Sequence, residues 1–210
     1  MARILITSGP TRQFLDPVRY LTNASSGRMG KALAEALLGA GHDVVIVSGP
    51  VEVTYPARAE VLPVVSTEDM LEACLNLFPE CDGMIAAAAP CDYRPIRVAC
   101  HKLAKTGESL NLHLVETPDV VALCGAIKEH QWIVAFALET EDHRMRALQK
   151  LERKSADLIV LNGPGAIHAA DTEIEIIDPR GEILAAIAGS KQKVAQGIVQ
   201  LVQERLLEKN

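Results

Sequence analysis

Short apolar runs alternate along this chain with segments in which apolar residues recur at helical spacing, and no other feature constrains the fold as strongly. The apolar runs occupy residues 3–7, 43–48, 59–65, 83–89, 132–138 and 158–161, and the helical segments 29–37, 66–78, 142–154 and 191–207. Strands that are joined through helices pair in parallel, and the helices cover both faces of the sheet. We therefore predict an α/β, Rossmann-like three-layer fold with a mostly parallel central sheet. Ligands are expected beyond the carboxyl ends of its strands.

The pattern changes after residue 161. Residues 173–177 and 182–187 flank the turn sequence DPRG at residues 178–181. Two strand-like segments around such a turn favour an antiparallel hairpin. We expect this C-terminal hairpin to extend the parallel sheet.

Three local signals predict further boundaries. Ser66 and Asp69 have the spacing of a capping box at a helix start. The alternation in LNLHL, residues 110–114, predicts a half-exposed strand. Pro118, followed by Asp119, is expected in the first turn of the next helix.

The size, charge and cysteine content narrow the classes of function. A chain of 210 residues, 49% of them hydrophobic, is expected to form one domain, residues 1–210. Its net charge of −6 argues against a nucleic-acid binder, which needs a basic surface. We find neither a membrane span of roughly 18 apolar residues nor a secretion signal, so the expected location is cytoplasmic. Five cysteines without a Cys-x-x-Cys pair indicate reduced thiols, most of them buried.

The connection between the first strand and helix, residues 8–23, is much longer than the ~2–6 residues usual there. It leads into NASSGRMG, residues 23–30, which supplies candidate cap residues, a flexible Gly27 and a small Gly30. The backbone amides at this helix start are candidates for binding an anion, and an ordinary capped helix is the alternative. A P-loop is excluded, because Ser25 stands where its first glycine belongs. A dehydrogenase loop is not supported, because the three-glycine pattern is missing.

Other candidates lie at later strand ends. Asp92 follows the run 83–89, where it either contacts a ligand or caps a turn and pairs with Arg94. Phe136 lies in a strand exit and contacts either a nucleotide base or the core.

Lysines form the remaining candidates. Lys150 and Lys154 are four residues apart and share a helix face. This face either binds polyphosphate or is simply solvated. Lys102 and Lys105, in a polar loop, have the same alternatives.

Together these segments resemble the phosphopantothenoylcysteine synthetases, the synthetase half of the bacterial coenzyme A enzyme. The resemblance covers nearly the whole chain. It is carried by residues 7–12 (TSGPTR), 15–20 (LDPVRY), 23–30 (NASSGRMG), 47–50 (VSGP), 92–95 (DYRP), 117–120 (TPDV) and 136–140 (FALET).

The resemblance implies a two-step ligation. CTP and 4′-phosphopantothenate give an acyl-cytidylate and pyrophosphate, and the amine of L-cysteine then displaces CMP. It further implies Mg²⁺ on the triphosphate, a homodimer, and a flavin-dependent decarboxylase, either as a separate protein or as a missing fused half. The first block, residues 7–12, favours CTP over the ATP used by eukaryotic relatives.

The resemblance also assigns site residues. Asn23 matches the residue that holds the acyl carbonyl, Lys102 a lysine important for turnover, and Arg19 a residue that reaches the dimer-related site. Residues Ser25, Ser26, Gly27 and Gly30 match the substrate and phosphate loop. Nucleotide-contacting positions are matched by Ala86, Ala87, Ala88, Asp92, Lys102, Pro118, Asp119, Val120, Val121, Phe136, Lys150 and Lys154.

The chain departs from the family pattern at three places. Pro90-Cys91 replaces the usual Val-Ala, the lysine-rich stretch is reduced to Lys102 and Lys105, and the segment from Gly163 to the hairpin is short. These departures keep a second hypothesis open, in which the chain is a nucleotide-binding regulatory domain that has lost turnover.

Overall fold

The computed structural model describes residues 1–138, 143–162 and 171–208. In chain order the elements are β1 (Arg3–Ser8), β2 (Arg12–Phe14), β3 (Tyr20–Thr22), α1 (Arg28–Gly39), β4 (Asp43–Ser48), β5 (Glu60–Pro63), α2 (Thr67–Leu77), β6 (Gly83–Ala86), β7 (Tyr93–Pro95), β8 (Leu114–Glu116), α3 (Val120–Ala126), β9 (Trp132–Leu138), α4 (His143–Arg153), β10 (Leu158–Asn162), β11 (Asp171–Ile177), β12 (Ile183–Ser190) and α5 (Lys191–Val202). A 3₁₀ turn, Phe78–Glu80, follows α2, and a π-helical turn, Gln203–Leu207, continues α5.

Eight strands form the main sheet in the order β12-β11-β10-β9-β6-β1-β4-β5. The strands from β5 to β10 are parallel, and β11 is antiparallel to both of its neighbours. Because β1 pairs with β4 on one side and β6 on the other, the strand order reverses there, and a crevice forms where connections leave in opposite directions. The predicted fold class, including the C-terminal hairpin, is confirmed.

The sheet is the middle of three layers. Alternate residues of β1 point to opposite faces, so Ile4 and Ile6 pack with α1 and α5, whereas Leu5 packs with α2, α3 and α4. All three side chains are fully buried. Burial on both faces explains why these strands are continuous apolar runs in the sequence.

Several predicted boundaries agree with the structure. The capping box at the start of α2 is confirmed: Ser66 Oγ accepts from the Asp69 amide at 3.0 Å, and Asp69 Oδ2 accepts from the Ser66 amide at 2.8 Å. β6, however, ends at Ala86 and not at residue 89. Beyond it the chain turns away from the sheet, although Ala89 still bridges to Pro10.

Two predictions around α3 are wrong. The strand expected at residues 110–114 lies instead at Leu114–Glu116, and residues 110–113 are exposed. Pro118 precedes α3, because Asp119 is the N-cap and its Oδ1 accepts from the Ala122 amide at 3.1 Å. A carboxylate satisfies a helix-start amide in a way that proline cannot.

Parts of three predictions fall outside the described residues. These are the helix start at Asp142, the motif residues Glu139 and Thr140, and the short segment that begins at Gly163.

Two small sheets lie beside the carboxyl ends of the main sheet. β2 pairs with β3 and β7 with β8, both antiparallel, and β2 contacts β7. These four strands and residues 96–113 are called the flap below. Strands of three residues carry too little periodicity to be identified from sequence, and β2, β3 and β7 were not predicted.

The cysteines behave as expected from the sequence. All five thiols are free, and all but Cys100 are buried. None of the helices in the described ranges combines the length and apolar character needed to cross a membrane.

Candidate functional site

A cavity of about 790 Å³ opens at the carboxyl ends of the parallel strands, where the strand order reverses. Its size is typical of small-molecule sites, which span about 300–1,000 Å³. Sixteen of the residues implied by the resemblance line it: Asn23, Ser25, Ser26, Gly27, Gly30, Ala86, Ala87, Ala88, Asp92, Pro118, Asp119, Val120, Val121, Phe136, Lys150 and Lys154. The structure thus brings together residues that are spread over more than 130 positions of the chain.

The first turn of α1 forms one wall of this cavity. Gly27 is the N-cap in the left-handed conformation, with φ at 73°, and no side chain caps the helix. The N-cap thus falls within residues 23–30, as predicted, but it provides no side-chain cap. Gly30 lies against the end of β1, where a Cβ atom would be 2.1 Å from Ser8 Oγ. Uncapped amides so close to the strand end favour the anion-binding interpretation over the ordinary capped helix.

A hydroxyl network holds this helix start in place. Tyr55 donates to Ser8 Oγ at 2.8 Å and lies 2.8 Å from Ser48 Oγ. Ser8 Oγ in turn donates to the Gly27 carbonyl at 3.4 Å. Sequence reasoning did not identify Tyr55, because nothing local marks a loop tyrosine as a partner of two strand ends.

Asn23 lies at the mouth of the cavity. Its Nδ2 donates to the Pro90 carbonyl at 2.8 Å and to the Ala89 carbonyl at 3.3 Å. Both amide hydrogens therefore point at backbone oxygens beyond the end of β6. A ligand carbonyl that accepts from Asn23 must replace one of these bonds, and the longer bond to Ala89 costs less to break.

In the segment after β6, the structure shows that Asp92 and Arg94 do not pair with each other. Arg94 pairs with Glu68, Nε to Oε1 at 2.9 Å, and not with Asp92. Asp92 is exposed and lines the cavity. Cys91, which departs from the family pattern, is 5% exposed, and its amide donates to Thr11 Oγ1 at 2.8 Å. The departure is therefore compatible with packing at this position.

An ion-pair cluster borders the cavity on the α4 side. Lys154 Nζ lies 2.7 and 2.8 Å from the two carboxylate oxygens of Asp119, and Arg153 donates to the same carboxylate at 3.0 Å. Burial acts to raise the pKa of Asp119, but the contact with Lys154 outweighs it, and the net pKa is lowered. Burial also lowers the pKa of Lys154 against the opposing effect of Asp119. Lys150 lines the cavity one helical turn before Lys154.

The sequence left open whether Phe136 faces the core or the ligand site, and in the structure it does both. Its side chain packs against the core cluster on the α1 and α5 face, and it also lines the cavity.

Arg19 and Lys102 are the two implied site residues that do not line the cavity. Lys102 belongs to the flap, Arg19 lies in the turn that joins the flap strands β2 and β3, and a buried carboxylate links the two segments. Asp16 Oδ2 accepts from Arg19 Nε at 2.9 Å and from the Leu103 amide at 3.1 Å, and Arg19 Nη2 donates to the Leu103 carbonyl at 2.7 Å. The hydrogen bond from Arg19 holds the pKa of Asp16 well below its usual range.

Sequence reasoning missed several cavity residues that come from the C-terminal third. Thr172, Lys191 and Asn162 line the cavity, and so does Arg28, which comes from the start of α1. Thr172 and Lys191 belong to the hairpin and the last helix, which return to the site only through the long-range topology. A signal was present at Lys191, because a cation in the first turn of a helix opposes the helix dipole.

Within the described part of the chain, no group of three or more histidine, cysteine, aspartate or glutamate side chains could hold a metal ion. Of the described residues, Asp92, Glu116 and Asp119 are the carboxylates that line the cavity, and Asp119 is engaged by Lys154. This donor set fits a cation that arrives with phosphate oxygens better than one held by protein ligands alone.

The fold and the cavity define the class: a doubly wound α/β domain with a ligand cavity at its switch point. The sequence then identifies the family. The chain belongs to the family described as the DNA/pantothenate metabolism flavoprotein C-terminal domain, which it matches over residues 1–206. The family predicted from the sequence motifs is confirmed.

Similar proteins agree with this assignment. The chain is 40% identical over 208 residues to the coenzyme A biosynthesis bifunctional protein CoaBC of Vibrio vulnificus strain YJ016, a match that covers 95% of the chain and 51% of the relative. It is 43% identical over 178 residues to the protein of the same name from Bacillus subtilis strain 168, covering 83% and 44%. The chain spans about half the length of these relatives. A crystal structure of the C-terminal domain of such a bifunctional protein superposes with a TM-score of 0.83 and 35% identity, covering 99% of this chain and 96% of that one.

Proposed function

We propose that this protein is a phosphopantothenate–cysteine ligase of coenzyme A biosynthesis that uses CTP. The observation that carries the proposal is the cavity, because all but two of the site residues implied by the resemblance line it. Membership of the pantothenate metabolism family supports the same substrate class.

The chemistry has two steps. A carboxylate resists attack by an amine, so 4′-phosphopantothenate first attacks the α-phosphorus of CTP, which forms an acyl-cytidylate and releases pyrophosphate. The amine of L-cysteine then attacks the acyl carbon, the bond to CMP breaks, and an amide results. Both steps need positive charge near the phosphates and a hydrogen-bond donor for the acyl oxygen.

The nucleotide would lie between the end of β6 and the helices α3 and α4. The small side chains of Ala86, Ala87 and Ala88 leave the backbone accessible to a ligand. Lys150 and Lys154 supply the charge, and Phe136 supplies an aromatic surface for the base. Asp119 keeps Lys154 directed towards this side of the cavity.

Asn23 would hold the acyl oxygen. Its Nδ2 already points at two carbonyl groups, so a donor is oriented at the cavity mouth. The loss of one such donor typically costs about 2.7–4 kcal/mol of transition-state stabilisation.

Magnesium would accompany the triphosphate. The ion would neutralise phosphate charge in the first step, and Asp92, which lines the cavity and does not pair with Arg94, would contact it.

The active unit would be a homodimer built through the flap. The flap exposes large apolar side chains, with Ile96 60%, Leu110 59%, Val98 55% and Tyr93 50% exposed. An apolar surface of this kind is typical of a protein interface. Arg19 and Lys102 lie in the same region and away from the cavity of their own chain, so a dimer would deliver them to the partner's cavity.

The remaining half of the relatives suggests a further partner. We propose a flavin-dependent decarboxylase that acts with this domain, either fused or separate, in the cytoplasm.

Pyrophosphate release tests the proposal. The protein is incubated with CTP, Mg²⁺, 4′-phosphopantothenate and L-cysteine, and each component is omitted in turn. We expect release to require CTP and 4′-phosphopantothenate, and the peptide-like product to require cysteine as well. The absence of release above background would favour the regulatory domain that has lost turnover. Faster release with ATP than with CTP would overturn the assigned nucleotide.

A matched pair of variants tests the site. Asn23→Asp removes the amide donor, and we expect kcat to fall by at least about a hundredfold without a change in the unfolding temperature. Asn76→Asp makes the same change on an exposed position of α2 and should leave kcat unchanged. Equal activity of the two variants would remove Asn23 from the reaction.

A further inference from the structure

The cavity has two sides, because it straddles the carboxyl edge of the sheet. On the α3 and α4 side lie Lys150, Arg153 and Lys154. On the opposite side, between the first turns of α1 and α5, lie Arg28, Asn162, Thr172 and Lys191. The second group is called the α1/α5 lobe below. Neither the resemblance nor the sequence pattern assigned its residues a role.

The topology brings the two helix starts together. β12 runs parallel to β10, because β11 is antiparallel to both, so α5 begins at the same edge of the sheet as α1. The two helices pack against each other on one face of the sheet. Neither helix has an acidic residue in its first turn. Two positive dipole ends therefore face the lobe.

Two cations accompany these helix ends. Arg28 and Lys191 pair with no carboxylate among the described side chains, and they also line a smaller adjoining cavity of about 360 Å³. Burial, and then the charge of Arg28, lowers the pKa of Lys191. Two like charges held together next to two helix N-termini repel each other unless an anion lies between them.

Unpartnered polar atoms point to a ligand independently. Thr172 is 5% exposed, and its Oγ1 has no hydrogen-bond partner in the described structure. Asn162 Oδ1 is also buried, and none of the described residues offers it a hydrogen-bond partner. Thr172 shares a sheet face with Ile174, and Asn162 with Val160, and both of those residues pack on the α1 and α5 side. Buried polar atoms of this kind normally have partners, so these two are oriented for a molecule in the lobe.

We propose that Lys191 and Arg28 of the α1/α5 lobe hold a phosphate group that lies against the uncapped start of α1, and so complete, from the last helix of the fold, the phosphate loop that the resemblance implies there. This deepens the ligase proposal and rests on it, because both substrates of that reaction carry phosphate. The phosphate is either that of the acid substrate or the distal end of the nucleotide triphosphate. In both cases the phosphate group in the lobe would be kept apart from the phosphates that bind near Lys154.

Binding measurements test this without requiring turnover. Lys191→Met keeps the length of the side chain and removes its charge. Lys193→Met, two residues later on an exposed position that does not line the cavity, removes the same charge and is the control. Lys191→Arg is the conservative variant. Dissociation constants are measured by calorimetry for 4′-phosphopantothenate, pantothenate, CTP and CMP.

We expect Lys191→Met to weaken one phosphate-bearing ligand by at least about tenfold, which is the usual size of a lost charge-assisted hydrogen bond. A loss for 4′-phosphopantothenate but not pantothenate identifies the acid substrate as the source of the phosphate. A loss for CTP but not CMP identifies the triphosphate. Lys191→Arg should retain most of the affinity, and Lys193→Met all of it.

Stability provides a second readout. Removal of a repulsive cation should leave the unfolding temperature of Lys191→Met equal to or above that of the parent protein, unlike the loss of a structural side chain. The proposal is overturned if no ligand loses affinity, if pantothenate or CMP loses as much as its phosphorylated counterpart, or if Lys193→Met has the same effect. If the parent protein binds these ligands as expected yet releases no pyrophosphate, the ligase proposal fails and the lobe stands.

Discussion

Ile4, Leu5 and Ile6 of the main sheet are wholly buried, whereas the flap leaves Ile96 60% and Val98 55% exposed. The main sheet is stabilised by apolar packing on both faces. The flap is fastened instead by a polar centre, Asp16, whose carboxylate joins its hairpin to the loop at Leu103. The main sheet thus completes its own core, whereas the flap leaves apolar surface exposed, and the proposed dimer would cover that surface.

The largest effect is expected from a charge introduced on the apolar surface of the flap. Val98→Asp would place an unpaired carboxylate in the proposed dimer interface, and we expect it to cost about 3–5 kcal/mol of association free energy. Sedimentation equilibrium should then give a monomer, with pyrophosphate release reduced in parallel. Val61→Asp, on an exposed position of the edge strand β5, is the control and should remain dimeric. A dimer of unchanged stability in Val98→Asp would place the interface elsewhere.

Truncation of valine separates the two regions within a single chain. Val45 is 1% exposed in β4, and Val45→Ala should lower the free energy of unfolding by about 2–3 kcal/mol through lost burial and a residual cavity. Val98→Ala should change it by less than about 0.5 kcal/mol under conditions in which the protein is monomeric. Urea denaturation measures both, and similar losses would mean that the flap surface is packed within the monomer.

Replacement of Asp16 should loosen the attachment of the loop at Leu103 to the turn between β2 and β3. Asp16→Asn removes the charge that Arg19 and three backbone amides contact, so hydrogen exchange at Leu103 should accelerate by at least about tenfold while exchange in β1 is unchanged. The depressed folded-state pKa also predicts the pH dependence. The contribution of the carboxylate is present above the ordinary aspartate pKa and is lost as the pH falls through the lower folded value.

Protection of Leu103 in the parent protein should therefore persist into acid and fail only there. Loss of that protection near neutral pH would contradict the role of Asp16.

The smallest effect is expected at the helix next to the flap. Ser66→Ala removes half of the capping box of α2 and should cost about 1 kcal/mol of unfolding free energy, with no change in kcat. Ser109→Ala, on an exposed position of the flap, should be neutral. Thermal unfolding distinguishes the two, and an equal shift would show that the cap contributes nothing.

The same contrast explains how much could be predicted from the sequence. Burial on both faces makes a strand a continuous apolar run, so the five inner parallel strands could be located. The edge strand β5 also contains apolar residues, although all four of its residues are exposed, and the capping box at Ser66 was located by its spacing. β2, β3 and β7 have three residues each and lie on a partly exposed surface, where no periodicity accumulates. LNLHL alternates, yet residues 110–113 lie in the exposed flap outside any strand and only Leu114 belongs to β8, because these apolar side chains have no facing layer within the described residues.

The residues of the candidate site likewise fall into those that could be identified from the sequence and those that could not. Residues at the ends of predicted strands, such as Asp92 and Phe136, could be identified because parallel strands share one edge, whereas the role of Asn23 was implied only by the family resemblance. Thr172 and Lys191, which line the cavity, and Tyr55, which supports the start of α1 through Ser8, could not, because each is placed by contacts between segments far apart in the chain.

Asp119 competes with any anionic ligand of the cavity for contact with Lys154. Any anion that approaches Lys154 must exchange with a carboxylate that already holds it through two short contacts. A simple anion such as chloride gains little from that exchange, whereas a ligand with several phosphates engages further cations and displaces Asp119 by multivalency. The cavity should therefore favour ligands with several negative charges over ligands with one, whatever the rest of the ligand looks like.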